Sequence, residues 1–277
     1  MSAVDFARYI GEGKAHAEAG RFKEALPLLQ KACEALPSNP NGPVLLGAVK
    51  EAMGDLRGAL AAFEQAIELE PGSPKLRHRL AMVFEKLGQP QEALVQYRNC
   101  VTLAPDFTAA WFQLGMTQTQ LGLDDAAIES FRHVTDQEPG FAPAWNALGV
   151  LLANAAKTEE ALDAYLEVAM NRPDWPMVHF GLGLVYSELK RDEAAIASFR
   201  EALRLRPDWR EAQHNLAWLL GRSGRTAEAE AEYQALLSDD PADLLALTGK
   251  AVSRAEHDDE DGARSALLTM VEAIAKD

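Results

Sequence analysis

A proline recurs every 34 residues along most of this chain. The series contains Pro37, Pro71, Pro105, Pro139, Pro173, Pro207 and Pro241, and no insertion interrupts it. An alanine stands twelve residues before each proline, from Ala25 to Ala229, and the alanines continue to Ala263. A fixed period of this length predicts an array of supersecondary units, because one such unit cannot bury its apolar face alone.

The proline series sets the phase of the repeats. With each proline at position 32, residues 6–277 divide into eight repeats of 34 residues, and residues 1–5 remain as an N-terminal extension. The repeats span 6–39, 40–73, 74–107, 108–141, 142–175, 176–209, 210–243 and 244–277. We therefore expect residues 6–277 to form a single solenoid in which neighbouring repeats stack on one another.

Each repeat has the pattern of two amphipathic helices. In repeat four, apolar residues recur at three- and four-residue spacing around Leu114 and again around Phe131. A glycine at position 15, such as Gly122, suits the left-handed conformation that ends the first helix, and the proline at position 32 ends the second. Position 8 is always small and position 24 always large. We expect the position 24 side chain to fill the space where the two helices approach.

These features resemble the tetratricopeptide family, whose repeats have the same period. The clearest matches are WFQLG at 111–115, WNALG at 145–149, FGLGLVY at 180–186 and HNLAWLL at 214–220. The resemblance implies an all-α fold, a right-handed superhelical solenoid of eight antiparallel helix-turn-helix repeats, whose first helices line a concave groove that holds protein partners. The repeats are similar in style to stand-alone bacterial arrays and to those of O-linked N-acetylglucosamine transferases. Of the asparagine ladder that such transferase arrays carry at position 6, only Asn215 is present here.

The composition narrows the classes of partner. Lys and Arg number 27 against 42 for Asp and Glu, so the net charge is -15 and a nucleic acid would be repelled over most of the surface. No apolar run has the length of a signal peptide or of a membrane span, which predicts a cytoplasmic chain without membrane insertion.

Residues that carry chemistry are scattered along the repeats. The two cysteines, Cys33 and Cys100, have neither the number nor the spacing of a disulfide framework or a zinc site. The six histidines belong to six different repeats, and no nucleophile, base and orienting group cluster together. The acidic run from His257 to Gly262 fits a solvated turn better than a calcium loop. We therefore expect no metal, no cofactor and no enzymatic activity.

A candidate binding face follows from the helical periodicity of the first helices. Positions 2, 5, 9 and 12 lie on one stripe, which we expect to face the groove. At positions 5 and 9 of repeats three to seven the stripe contains His78, Met82, Phe112, Met116, Asn146, Val150, Phe180, Leu184, His214 and Trp218. The expected apolar anchors are Phe112, Met116, Phe180, Leu184 and Trp218, with Asn146 and His214 as polar contacts. These predictions define an adaptor that binds an apolar protein or peptide segment.

Repeat three adds a positive surface, and two alternatives to an adaptor stay open. Its net charge is +2, and Lys75, Arg79 and Lys86 are predicted electrostatic contacts for an acidic flank of the ligand. One alternative is a scaffold that self-associates into a homo-oligomer. The other is a substrate-selecting partner of a separate enzyme such as a glycosyltransferase.

The end repeats are more polar at packing positions than the middle ones. Repeat one has Glu12 where an apolar residue is usual, and repeat eight has Lys250 at position 7 and Ala275 in place of the proline. Terminal repeats of solenoids face water on one side. We expect Leu267, Leu268, Met270 and Val271 on the last helix to be partly exposed.

Overall fold

The computed structural model describes residues 3–255 and 260–274, and that part of the chain contains sixteen α-helices and no β-strand. The all-α fold class is therefore confirmed. The chain divides into two compact units, Met1–Pro139 and Gly140–Asp277. Of the predicted turn from His257 to Gly262, residues 257–259 lie outside the described residues, and residues 260–262 belong to the last helix, so the prediction of a turn is wrong there.

The first unit contains eight helices, two for each of the first four repeats. They are α1 (Ala3–Glu18), α2 (Phe22–Ala35), α3 (Asn41–Ala52), α4 (Leu56–Leu69), α5 (Pro74–Lys86), α6 (Pro90–Leu103), α7 (Thr108–Gln120) and α8 (Asp124–Gln137). Helix α1 begins before the repeat boundary at residue 6, so residues 3–5 of the expected extension are helical.

The second unit contains the helices of the last four repeats. They are α9 (Ala142–Asn154), α10 (Thr158–Asn171), α11 (Pro176–Glu188), α12 (Asp192–Leu205), α13 (Arg210–Arg222), α14 (Thr226–Asp239), α15 (Leu244–Ala255) and α16 (Glu260–Ile274). In both units the two helices of a repeat pack as a hairpin, and the second helix of one repeat packs on the first helix of the next. First helices of neighbouring repeats also meet directly, as α9 does with α11 and α13 with α15.

The turn inside each of the first seven hairpins has a left-handed backbone conformation at position 15. Five glycines at position 15 adopt it, with φ between +69° at Gly122 and +81° at Gly54, as the sequence predicts. Repeats five and six place Ala156 (φ 56°) and Lys190 (φ 60°) at the same position without the glycine that relieves the Cβ contact.

The core of each of the first seven hairpins is the contact between positions 8 and 24. Position 24 is buried in repeats one to seven, through Leu29, Phe63, Tyr97, Phe131, Tyr165, Phe199 and Tyr233. A Cβ added to Gly183 would lie 2.6 Å from the ring of Phe199, and one added to Gly47 would lie 2.9 Å from the ring of Phe63. The two helices can therefore approach this closely only because position 8 is small. The predicted pairing of a small residue at position 8 with a large one at position 24 is confirmed.

The last helix carries an exposed apolar face. Leu267, Leu268 and Val271 of α16 are all exposed, and Met270 is partly buried. The expectation that these side chains lack full cover is confirmed.

Candidate functional site

Position 5 of α11, Phe180, packs into the core instead of facing a groove. The ring of Phe180 is only 8% exposed and lies 5.8 Å from the ring of Phe199 and 4.5 Å from the ring of Trp209, centroid to centroid. The prediction that Phe180 is an exposed apolar anchor is wrong. The reason is that Trp209, at position 34 of the same repeat, covers the outer side of the ring.

Repeats three and four show the same arrangement at position 5. The His78 ring lies 5.6 Å from Tyr97 at position 24 and 5.0 Å from Phe107 at position 34, and burial lowers the pKa of His78. Phe112 is partly buried, with its ring 5.7 Å from that of Phe131. These rings stabilise their own hairpins. Truncating them would therefore destabilise the fold and would not report on partner binding alone.

In repeat seven an ion pair replaces the ring contact. His214 at position 5 has its Nε2 2.9 Å from Oδ2 of Asp243 at position 34, and Arg210 lies 2.5 Å from the same oxygen. Burial raises the pKa of Asp243, but the N–H of Ala246, the charge of His214 and the bond from Arg210 outweigh it, and the net pKa is lowered. His214 is therefore held against the end of its own repeat.

Position 9 gives the exposed apolar surface that the sequence predicts. In the second unit it places one exposed side chain on each first helix. Their exposed fractions are 42% for Val150, 43% for Leu184, 47% for Trp218 and 44% for Val252. We call these four residues the position 9 stripe. Asn146, one turn before Val150 on α9, is partly buried.

In the first unit, position 9 holds Met116, which is exposed, and Met82, which is partly buried. Whether the residues of the two units form one stripe from repeat three to repeat seven stays a prediction. The basic surface of repeat three is smaller than expected, because Lys86 Nζ is 2.5 Å from Oε1 of Glu51. Lys75 and Arg79 are exposed.

Position 12 serves contacts between repeats in the first unit. The carboxylate of Glu85 accepts a hydrogen bond from the Tyr97 hydroxyl at 2.8 Å and another from Thr117 Oγ1, in the next repeat, at 3.0 Å. Burial, and after it the charge and hydrogen bond of Glu85, raise the pKa of Tyr97. A neutral tyrosine therefore remains a donor to Glu85, and this network links repeats three and four.

A cavity of about 400 Å³ opens on the position 9 stripe between α13 and α15. We call it the Trp218 cavity. Its lining consists of Glu211, His214, Asn215, Trp218, Tyr233, Leu245 and Gly249. Trp218 also borders a smaller cavity of about 70 Å³, where the guanidinium of Arg222 lies 4.6 Å from the centre of the indole ring. A second large cavity, of about 270 Å³, adjoins Leu184 and Glu188 on α11.

Several residues of the Trp218 cavity were not among the predicted site residues. Glu211 and Leu245 occupy position 2, which belongs to the predicted stripe, whereas the predicted contacts lie at positions 5 and 9. Leu245 and Gly249 also lie in repeat eight, outside the predicted surface of repeats three to seven. Tyr233 comes from a second helix, and only the folded hairpin places it at this surface.

The described side chains contain no set of three or more His, Cys, Asp or Glu residues arranged to hold a metal ion. Cys100 is fully buried, and its Sγ lies 3.2 Å from the carbonyl oxygen of Pro74. Among residues 3–255 and 260–274, no helix combines the length and apolar character needed to cross a bilayer.

A chain of helix hairpins, each packed on the next one along the sequence, defines a helical repeat protein. Five family models described as tetratricopeptide repeat match residues 51–95, 74–117, 108–141, 176–209 and 214–277, which together make up more than half of the chain. The chain belongs to the tetratricopeptide repeat family.

Solved structures of similar fold agree with this assignment. YrrB, described as a TPR protein with an unusual peptide-binding site, has a TM-score of 0.62 and 19% identity, over 67% of this chain and 96% of that one. PilF of Pseudomonas aeruginosa has a TM-score of 0.59 and 18% identity, over 76% and 95% of the two chains. MamA has a TM-score of 0.57 and 20% identity, over 61% and 92%. No curated protein sequence matches the chain.

Proposed function

We propose that this protein is a non-catalytic cytoplasmic adaptor that binds an apolar segment of a partner protein along its first helices. Tetratricopeptide repeats are protein-interaction modules, so the coarser role of an interaction scaffold follows from the family. The finer proposal concerns the surface used and the character of the ligand. An acidic flank that docks at Lys75 and Arg79 remains part of the proposal.

The position 9 stripe is the observation that carries this proposal. Four successive first helices each keep an apolar side chain exposed at one repeat position, and two large cavities adjoin Leu184 and Trp218. A contiguous exposed apolar surface is unfavourable in water unless a partner covers it. YrrB, a protein of similar fold, is described as having an unusual peptide-binding site, which supports peptide binding as a use of this fold.

Co-purification from native cells tests the proposal. A Leu184→Ala/Trp218→Ala double variant removes the stripe at both cavities, and Met170→Ala serves as the control because Met170 is an exposed apolar residue on the second helix α10. We expect a partner that co-purifies with the wild type and with Met170→Ala to be lost from the double variant. Equal recovery of that partner from all three proteins would show that the stripe is not the binding surface.

Self-association is the second candidate, and the exposed face of α16 favours it. Leu267, Leu268 and Val271 form an uncovered apolar row on this helix. If copies pair through the row, light scattering should give a dimer mass that returns to the monomer mass in a Leu268→Asp/Val271→Asp variant. A monomer mass for the wild type across a wide concentration range would remove this candidate.

A further inference from the structure

The Trp218 cavity has an apolar interior with a defined shape. Trp218 of α13, Leu245 of α15 and Tyr233 of α14 line it, and of these three side chains only Tyr233 is buried. Tyr233 reaches this position because Gly249 has no side chain, since an added Cβ would lie 2.5 Å from the tyrosine hydroxyl. The cavity therefore presents aromatic and leucine surface to a bulky apolar side chain of a ligand.

The charges around the cavity are unequally compensated. The two arginines beside it are already paired: Arg210 contacts Asp243, which also contacts His214, and Arg222 Nη2 lies 2.5 Å from Oδ1 of Asp192. In the described part of the chain, by contrast, the exposed carboxylate of Glu211 on the cavity rim is in no ion pair.

We propose that the Trp218 cavity selects partner segments in which a bulky apolar residue lies beside a lysine or arginine. The apolar side chain enters between Trp218 and Leu245, and the cation pairs with Glu211. The uncompensated charge on the rim is negative, so a ligand cation gains a partner there while a ligand carboxylate meets repulsion. This inference rests on the proposed function and adds the chemical class of the ligand.

The net charge of the chain disfavours a second copy as the occupant of the cavity. The net charge of -15 makes two copies repel each other at low ionic strength. A short basic and apolar peptide meets no such barrier. A dimer mass that Trp218→Ala returns to the monomer mass, and that Leu268→Asp/Val271→Asp leaves unchanged, would show that a second copy covers the cavity instead.

Three synthetic peptides of fourteen residues test the inference on the full chain. All have leucine at the same helical positions, and the remaining positions are all lysine, all glutamine or all glutamate. Their affinities are measured by calorimetry in about 0.15 M salt, where the Debye length is about 8 Å, so that attraction by the distant charges of the protein is screened. We expect the lysine peptide to bind more tightly than the glutamine peptide, and the glutamate peptide to bind weakest.

The variants assign the preference to the cavity. Glu211→Gln should weaken binding of the lysine peptide about twofold to fivefold, as expected for a partly exposed ion pair, and leave the glutamine peptide unchanged. Asp163→Asn is the control, because it makes the same charge change at an exposed site on α10. It should change neither affinity. Trp218→Ala should weaken the lysine and glutamine peptides alike.

The outcomes separate the inference from the proposed function. If Glu211→Gln and Asp163→Asn weaken the lysine peptide equally, or if the glutamine peptide binds as tightly as the lysine peptide, the selection for a cation is refuted. The proposed binding of an apolar segment along the first helices survives in both cases, provided that Trp218→Ala weakens binding. If Trp218→Ala changes no affinity, or if the lysine peptide does not bind, the cavity is not the site.

Discussion

The rings of Phe180 and Trp209 lie 4.5 Å apart, although these residues occupy positions 5 and 34 of the same repeat. The contact closes repeat six on itself, because position 34 returns to cover position 5 of the same repeat. His78 with Phe107 and His214 with Asp243 occupy the same pair of positions. On one helical stripe, position 5 therefore contributes to the stability of the hairpin, whereas position 9 contributes to its exposed surface.

Phe180 and Leu184, one turn apart on α11, should respond differently to truncation. Phe180→Ala should lower the free energy of unfolding by about 3 to 5 kcal/mol, because it empties a buried ring site. Leu184→Ala should cost at most about 1 kcal/mol, because Leu184 is exposed. Urea denaturation followed by circular dichroism measures both, and equal costs would contradict the division between positions 5 and 9.

Gly183 should not tolerate a side chain. Gly183→Ala places a Cβ against the buried ring of Phe199 and should destabilise the protein by about 1 to 3 kcal/mol. Gly11→Ala is the matched control, since Gly11 is inside α1 with no atom near an added Cβ. It should stabilise the protein by up to about 1 kcal/mol through helix propensity. Shifts of the same sign in the two denaturation midpoints would argue against the packing of position 8 on position 24.

Glycine should stabilise the two hairpin turns that lack it at position 15. Ala156→Gly and Lys190→Gly relieve the left-handed conformation of a residue with a Cβ and should each raise the free energy of unfolding by roughly 0.5 to 1 kcal/mol. Gly122→Ala, the reverse change at the equivalent turn, should lower it. Thermal melting of the three variants tests the sign, and a lower melting temperature for both glycine variants would contradict the explanation.

Asp243 should make stability depend on pH. Its pKa in the folded state is lowered, so the unfolded chain binds the proton more tightly, and the stabilisation is present above the unfolded pKa of about 3.9. It is lost as the pH falls through the folded pKa. Asp243→Asn should cost about 1 to 3 kcal/mol at pH 7, and this cost should shrink toward zero below about pH 4.

Urea titrations at several pH values measure that difference. Asp163→Asn, at an exposed site on α10, is the control and should show almost no cost at any pH. A cost of Asp243→Asn that stays constant from pH 7 down to pH 3 would mean that the charge of Asp243 does not stabilise the fold.

The hairpin repeat was predictable from the sequence because its determinants are local and periodic. Pro105 and Gly122 mark helix ends through their own backbone preferences, and Gly47 opposite Phe63 follows from the repeat phase. The exposed residues at position 9 were predictable for the same reason, since one helix has one outward stripe.

The tertiary structure decided which members of that stripe stay exposed. A helical projection places Phe180 and Trp218 on one face and ranks both as anchors, but Phe180 is buried and Trp218 is not. The covering residue for Phe180 is Trp209, which lies beyond a whole intervening helix and reaches the ring only when the hairpin closes. The Trp218 cavity likewise requires α13, α14 and α15 to pack together. Local periodicity fixes the direction of a side chain relative to its own helix, whereas its exposure depends on every element that packs nearby.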